Sequence, residues 1–154
     1  MIACYGAAFG MEVLACDVDR AKVCPPARDV SFDELVQQSD VISLHITADP
    51  GNRHLIDRTV IKQFKRGAFF VNTARGMLAD SAALAESVVS GHLAGVAVDV
   101  LEGEERNFVM GDPLLKCAVS GHNVLITPHI GGATRESIET AEFAVVTQLR
   151  MQYR

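Results

Sequence analysis

The chain has 154 residues, of which 49% are hydrophobic and 21% charged, and its formal net charge is −5. A chain of this length and apolar content can bury one substantial core, so the sequence predicts a single globular domain. The negative charge and the lack of any basic run exclude the electrostatic footprint of a nucleic-acid-binding protein. No apolar stretch approaches the roughly 18 residues that a membrane-spanning helix needs. The start of the chain also lacks the basic region of a secretory signal peptide.

The cysteines give no sign of a metal site or of a redox pair. Cys4, Cys16, Cys24 and Cys117 form neither a C-x-x-C pair nor a spacing typical of metal ligands. We therefore expect buried or inert thiols in a reducing compartment, and a cytoplasmic protein without a metal.

Helix and strand signals alternate along the chain, which is the pattern of βαβ units. Residues 1–9 are predicted to form the second half of a helix that Gly10 ends, because glycine adopts a left-handed cap conformation at little cost. Short apolar strands are predicted at residues 13–16 and 41–45. Between them, the capping-box pattern Ser-x-x-Glu predicts a helix from Ser31 to Gln38.

The strongest strand signal lies in the middle of the chain. Residues 69–71 are three bulky apolar residues in a row, bounded by Gly67 and Gly76, which predicts a strand buried on both faces. Before it, Asp57 is expected to cap a helix that runs to Lys65. After it come an amide, a hydroxyl and a guanidinium, namely Asn72, Thr73 and Arg75.

The alternation continues in the second half. Asp80 or Ser81 is predicted to cap a helix that reaches Ser90, and further strands are predicted at residues 94–101 and 124–127. Residues 102–122 are predicted to form a long loop with one helical turn at 112–115. Loops of this length inside a compact domain are usually functional or mobile.

The final predicted helix follows Thr134 and has apolar residues at helical spacing, namely Ile138, Ala141, Val145 and Leu149. Five predicted strands each end in a polar side chain: Asp17, His45, Arg75, Asp99 and His129. Because parallel strands present their carboxyl ends at one edge, we expect these five side chains to line a single crevice. The sequence therefore predicts an α/β fold with a doubly wound parallel sheet and a ligand site at that edge.

Five segments stand out by their order and spacing: Ala8–Met11, Ser39–His45, Asn72–Gly76, Ser90–Val100 and Thr127–Gly132. Together they resemble the NAD-binding domain of the D-isomer-specific 2-hydroxyacid dehydrogenases, over nearly the whole chain. The resemblance implies a Rossmann-like sheet and an oxidoreductase that transfers a hydride between NAD(H) and a 2-keto or D-2-hydroxy acid. It also implies a homodimer in the full-length form, with no nucleic-acid or membrane partner.

The resemblance implies a catalytic set of Arg75, Glu104 and His129. Arg75 corresponds to the residue that grips the substrate carboxylate and C2 oxygen, a task suited to a bidentate cation. His129 corresponds to the general acid/base at the C2 oxygen, and histidine changes protonation state near neutral pH. Glu104, five positions after Asp99, corresponds to the acid that favours the imidazolium. The family usually has proline directly after this acid, where this chain has Glu105.

Other positions correspond to cofactor contacts. Asp17 corresponds to the acid that binds the adenosine ribose hydroxyls, and its charge repels a 2′-phosphate, which favours NAD over NADP. The nearby Arg20 works against that preference. Asp99 corresponds to the residue that orients the nicotinamide carboxamide. The remaining cofactor-lining positions are His45, Thr73, Ala74, Gly131 and Gly132.

The family's G-x-G-x-x-G turn, which holds the cofactor pyrophosphate, and the strand before it are not found in these 154 residues. The family's substrate-binding domain is not found either. We therefore interpret residues 1–154 as a partial NAD-binding domain, and we expect the isolated chain to be inactive. Two alternatives stay open: a non-catalytic NAD-sensing regulatory or corepressor relative, and an inactive truncated remnant.

Overall fold

The computed structural model describes residues 1–104 and 108–152. Its α-helices are α1 (Ile2–Ala8), α2 (Phe32–Gln38), α3 (Arg58–Ile61), α4 (Ser81–Val89), α5 (Pro113–Val119) and α6 (Arg135–Gln152). Its strands are β1 (Leu14–Ala15), β2 (Arg28–Asp29), β3 (Val41–Leu44), β4 (Phe69–Asn72), β5 (Gly95–Val98) and β6 (Val124–Ile126). None of the helices in these two ranges combines the length and the apolar character needed to cross a membrane.

The strands form two parallel sheets. β1 pairs with β2, and β3, β4, β5 and β6 pair in that order. The alternation of parallel strands and helices confirms the predicted α/β class. Among the described strands, β3 pairs only with β4, so its other edge has no strand partner in this part of the chain.

One face of the four-stranded sheet forms the core. Alternate side chains of β3, β4 and β5 are at most 7% exposed on this face, namely Ile42, Leu44, Phe70, Val96 and Val98. Helices α4 and α5 add Leu84 and Leu114 to the same cluster. The rings of Phe64 and Phe70 pack within it, with centroids 6.2 Å apart.

The opposite face of this sheet is open. Val41, Phe69 and Leu125 are 49%, 45% and 63% exposed, so the prediction that residues 69–71 are buried on both faces is wrong. The physical reason is a missing cover. Every α6 residue whose burial the structure describes is exposed, including Ile138, Ala141 and Val145 of the predicted apolar stripe.

The predicted helix starts are confirmed by their capping contacts. The side chains of Ser31, Asp57, Asp80 and Thr134 each accept a hydrogen bond from a backbone N–H in the first turn. Gly10 follows α1 with φ of +79°, as expected for a left-handed helix end.

Three elements differ from the predictions. Helix α3 ends at Ile61 rather than Lys65, because the chain tightens into i→i+3 bonds that turn Phe64 into the core. Helix α5 is longer than the single predicted turn, since Asp112 caps it and two of its side chains are buried. Strand β2 was not predicted, because its two charged residues show no apolar alternation.

The burial of the thiols differs from one position to the next. Cys117 is buried, and burial raises the pKa of its thiol. Cys4 and Cys24 are instead exposed, because they lie on α1 and on the loop before β2, outside the main core.

Candidate active site

The carboxyl ends of four paired strands meet at one edge of the larger sheet. His45 follows β3, the Thr73–Arg75 turn follows β4, Asp99 follows β5 and His129 lies beyond β6. Asp17 instead follows β1, which pairs only with β2. One edge of the four-stranded sheet therefore carries four of the five polar strand ends, and Asp17 lies at the end of the separate two-stranded sheet, because the described chain places no strand between β1 and β3.

His129 and Glu104 are in direct contact. His129 Nδ1 lies 2.6 Å from Glu104 Oε1, and Glu104 Oε2 accepts a hydrogen bond of 3.0 Å from the Leu101 N–H. The contact is an ion pair outside hydrogen-bond geometry, and because Nδ1 is the ring nitrogen beside the carboxylate, Nε2 is the one left to exchange a proton with a ligand. The Glu104 side chain is 24% exposed and that of His129 is 48% exposed, so the imidazole stays accessible. Glu105 lies outside the described residues.

Asp99 anchors the loop that carries His129. Its Oδ1 accepts hydrogen bonds from the Thr127 hydroxyl and from the Ile130 N–H at 3.0 Å. Its Oδ2 accepts a hydrogen bond of 2.8 Å from the Gly131 N–H. These bonds hold His129 in a left-handed conformation with φ of +52°, which is uncommon for a residue other than glycine.

The charge of Asp99 follows from the same contacts. Burial disfavours its charged form, because only 8% of the residue is exposed. The three hydrogen bonds and the neighbouring His129 outweigh burial, so the pKa of Asp99 lies below its ordinary value of 3.8. The anchoring role was missed in the sequence, since it joins residues about thirty positions apart.

Asn72 shapes the turn that carries Arg75. It is 1% exposed, its Oδ1 accepts a 3.0 Å bond from the Ala74 N–H, and its Nδ2 donates to the Arg75 carbonyl at 2.9 Å. Its role could have been inferred from sequence, because asparagine commonly bonds the backbone N–H two residues later. Arg75 itself is exposed, and its Nη1 donates to the Ala74 carbonyl at 2.6 Å. That bond leaves most of the guanidinium fork able to bind a carboxylate.

Gly76 brings the Arg75 turn against the loop that leads to Glu104. A Cβ atom at Gly76 would overlap the backbone of Leu101 and Glu102. Only glycine permits this approach. The segments that carry Arg75 and Glu104 are therefore in backbone contact.

The remaining sequence-predicted cofactor positions lie at strand ends. Thr73, Gly131 and Gly132 are exposed, and Ala74 is half-buried. His45 Nε2 lies 2.9 Å from the Ser43 hydroxyl oxygen. Loss of solvation lowers the pKa of His45.

Asp17 is half-buried after β1, and its Oδ1 accepts a 2.9 Å bond from the Asp19 N–H. Arg20 lies against Asp29, with Nε 2.5 Å from Oδ2. The Arg20 guanidinium, which was expected to weaken a preference for NAD, is therefore paired with Asp29. A carboxylate after β1, with hydroxyl, amide and glycine backbone groups at the other strand ends, is a donor set that fits a dinucleotide.

Residues 1–131 match the family model described as D-isomer specific 2-hydroxyacid dehydrogenase, NAD binding domain. A D-specific alpha-keto acid dehydrogenase of Enterococcus faecalis is 42% identical over 128 residues. A hydroxypyruvate reductase of Thermotoga maritima is 40% identical over 130 residues. These alignments cover 79% and 84% of this chain but 39% and 41% of the relatives. The chain thus spans about two fifths of the length of the curated relatives it matches.

A solved structure agrees with these sequence relationships. The crystal structure of D-lactate dehydrogenase from Aquifex aeolicus, complexed with NAD and lactic acid, superposes with a TM-score of 0.82 at 34% identity. The match covers 97% of this chain and 48% of that protein, and it confirms the predicted Rossmann-like fold. The cofactor of this domain family is NAD. The chain therefore belongs to the D-isomer specific 2-hydroxyacid dehydrogenase family, which it matches through the NAD-binding domain.

Proposed function

We propose that this chain is part of an NAD-dependent dehydrogenase that interconverts a small 2-keto acid and the corresponding D-2-hydroxy acid. Residues 1–154 are, in this proposal, a partial NAD-binding domain that works with a separate substrate-binding domain. The observation that supports it best is the 2.6 Å contact between Glu104 and His129 at the carboxyl edge of the sheet. A carboxylate that orients an accessible imidazole is the arrangement that general acid/base catalysis requires.

In this proposal each catalytic residue has a separate role: Arg75, Glu104 and His129. The Arg75 guanidinium binds the substrate carboxylate and polarises the C2 oxygen. NAD(H), when bound, supplies or accepts the hydride at C2. His129 Nε2 gives a proton to the C2 oxygen in reduction and takes it back in oxidation. Glu104 holds Nδ1 and stabilises the imidazolium.

The cofactor positions complete the proposal. The Asp17 carboxylate accepts hydrogen bonds from the adenosine ribose hydroxyls and repels a 2′-phosphate. Asp99 is assigned the role of orienting the nicotinamide carboxamide, and it also anchors the His129 loop. The other lining positions are His45, Thr73, Ala74, Gly131 and Gly132.

We extend the proposal to a cytoplasmic enzyme that forms a homodimer in its full-length form. All four cysteines are free, which agrees with a reducing compartment. Helix α6 leaves Ile138, Phe143 and Val145 47%, 75% and 57% exposed. Ile138 and Val145 lie seven residues apart on one face of the helix, and exposed apolar surface of this kind is commonly buried at subunit interfaces. The NAD-sensing alternative gains no support from the comparisons, and the remnant alternative is left to the assays below.

The test is a pair of assays on the complete protein that contains this chain. NADH binding is measured by calorimetry, and turnover is followed by NADH absorbance with 2-keto acids of increasing side-chain size. We expect NADH to bind and at least one 2-keto acid to be reduced. The His129→Ala variant should keep NADH affinity and lose turnover. NADH binding without reduction of any 2-keto acid would favour the sensing alternative and refute the proposal.

A further inference from the structure

The turn before α3 contacts the loop that leads to Glu104. His54 Nε2 lies 2.8 Å from Glu102 Oε2. Arg53 Nη2 lies 2.5 Å from Glu102 Oε1, outside hydrogen-bond geometry, so this second contact is an ion pair only. The Glu102 side chain is 25% exposed and that of His54 is 34% exposed. The carboxylate is therefore partly buried against the turn.

The same turn is joined to the segment that follows Arg75. The His54 N–H donates to the Met77 carbonyl at 2.8 Å, and the Ile56 N–H donates to the Leu78 carbonyl at 3.0 Å. Both acceptors lie just after Gly76, whose backbone packs against the loop at Glu102. The turn therefore bonds the segment after Arg75 through its backbone. It bonds the loop at Glu102 through its side chains.

Glu102 is closely coupled to Glu104. The two residues belong to one tight turn, in which Gly103 has φ of +83° and Glu104 Oε2 accepts from the Leu101 N–H. A displacement of the backbone at Glu102 would therefore be passed along this turn to Glu104 and to its contact with His129. This connects His54 to the proton-transfer pair through a short series of bonded groups.

We propose that His54 is a positioning residue, which holds Glu102 so that Glu104 meets His129 in a productive geometry. The inference rests on the proposed function and names a residue that acts through others. His54 touches neither His129 nor Arg75 by any hydrogen bond or ion pair found among the described residues. Its effect on the reaction is transmitted by the Leu101–Glu104 turn.

Two observations distinguish this role from an ordinary surface ion pair, which contributes little. Both side chains of the pair are partly buried, and His54 adopts a left-handed conformation with φ of +51°. A left-handed conformation costs free energy for residues other than glycine, and it persists where surrounding contacts impose it. Here those contacts are the Met77 carbonyl on one side and the Glu102 carboxylate on the other.

The test uses His54→Asn, since asparagine tolerates a left-handed backbone but is too short to reach Glu102. Glu102→Gln is the second variant, because it removes the charge with almost no change in shape. The matched control is Glu86→Gln, which makes the same chemical change in the Arg58–Glu86 ion pair between α3 and α4. Glu86 lies outside the proposed site.

The first readout is structural and does not require turnover. Amide hydrogen exchange reports the Leu101 N–H, and NMR reports the ring resonances of His129. We expect His54→Asn and Glu102→Gln to speed exchange at Leu101 by about tenfold, the usual worth of one hydrogen bond to a charged group, and to shift the His129 signals. Glu86→Gln should change neither. Unchanged signals in both variants would refute the inference. Lost protection throughout the core, for example at Phe70, would also refute it by showing a general stability role.

The second readout is kinetic and uses the complete enzyme. His54→Asn should lower kcat by about tenfold, because a displaced acid/base costs rate steeply, while KM for the 2-keto acid changes less than twofold. A rise in KM with unchanged kcat would contradict the inference. If the unmodified protein reduced no 2-keto acid, the proposed function would fail. The structural readout would still decide whether His54 positions Glu104.

Discussion

The two sheets of this molecule hold their polar side chains in different ways. At the carboxyl edge of the four-stranded sheet, Asn72 and Asp99 are 1% and 8% exposed, and each is held by several hydrogen bonds. In the β1–β2 unit, Arg20 and Arg28 form ion pairs between largely exposed side chains. Each strand there is only two residues long.

The difference suggests how each half of the site obtains its geometry. Buried networks with satisfied partners fix side-chain positions, whereas exposed ion pairs are screened and contribute little. The proposed proton-transfer groups are therefore preorganised by the fold. The proposed ribose-binding side depends more on the ligand that binds there. Substitutions on the four-stranded sheet should accordingly have the larger effects.

The largest effect is expected for His129→Ala. Loss of the general acid/base should lower kcat by roughly 10²–10⁴-fold. Asp17→Ala, on the other sheet, should change kcat with NAD far less. Steady-state kinetics of the complete enzyme would measure both. Similar losses in the two variants would contradict the contrast between the sheets.

Glu104→Gln should lower kcat by about 10- to 100-fold, less than removal of the imidazole itself. The amide keeps the shape but removes the countercharge of the imidazolium, so the alkaline limb of the reduction rate should move to lower pH. The pH–rate profile measures this movement. Glu105→Gln is the matched control. A shift in that variant alone would mean that Glu105 is the partner of His129.

Asp99→Asn should destabilise the fold by about 1.5–3 kcal/mol, since the new amide would face the Gly131 N–H with a donor. Asp80→Asn is the control, because asparagine caps a helix as well as aspartate does. Chemical denaturation would measure both variants. Equal losses of unfolding free energy would contradict the anchoring role of Asp99.

The same variant tests a pH dependence. Because the folded pKa of Asp99 lies below its ordinary value of 3.8, its ionised form stabilises the fold above that value. This contribution is lost as the pH falls through the lower folded pKa. The unfolding free energy of the unmodified chain should therefore fall more steeply on acidification than that of Asp99→Asn. Denaturation series between about pH 5 and pH 2 would show the difference.

The smallest effect is expected for cofactor choice. Asp17→Ala should reduce the preference for NAD over NADP by roughly tenfold, the worth of one hydrogen bond to a charged group. The ratio of kcat/KM values for the two cofactors measures it. Asp19→Ala removes the same charge two positions away and should leave the ratio unchanged. An unaltered ratio in Asp17→Ala would mean that Asp17 only stabilises the turn at Asp19, through its bond to the Asp19 N–H.

Local signals predicted much of the fold. Asp57, Asp80 and Thr134 mark helix starts because capping needs only the residues beside them. Phe69 could not be placed correctly, since its exposure depends on whether a distant element covers the sheet. The extent of α5 likewise depends on the core that receives its apolar side chains.

The candidate site likewise has features that the sequence predicted and features that it did not. The resemblance named Glu104 and His129 as partners, and the structure brings them to 2.6 Å. Two sets of bonds were not predicted, those from Asp99 to the loop of His129 and the one from His54 to Glu102. Both join segments far apart in sequence. Contacts of this kind follow from how strands are ordered, which the residue pattern leaves undetermined.

The half-paired β3 has a consequence for concentration. Its outer edge offers backbone N–H and C=O groups that no described strand takes up, beside the exposed Val41 and Phe69. Such edges accept further strands, including those of a second molecule. Association at this edge would make folding a mass-action process, so the thermal midpoint of this chain should rise with its concentration. Light scattering measures the association state in parallel. A midpoint that stays constant over a hundredfold dilution would show that the edge mediates no association.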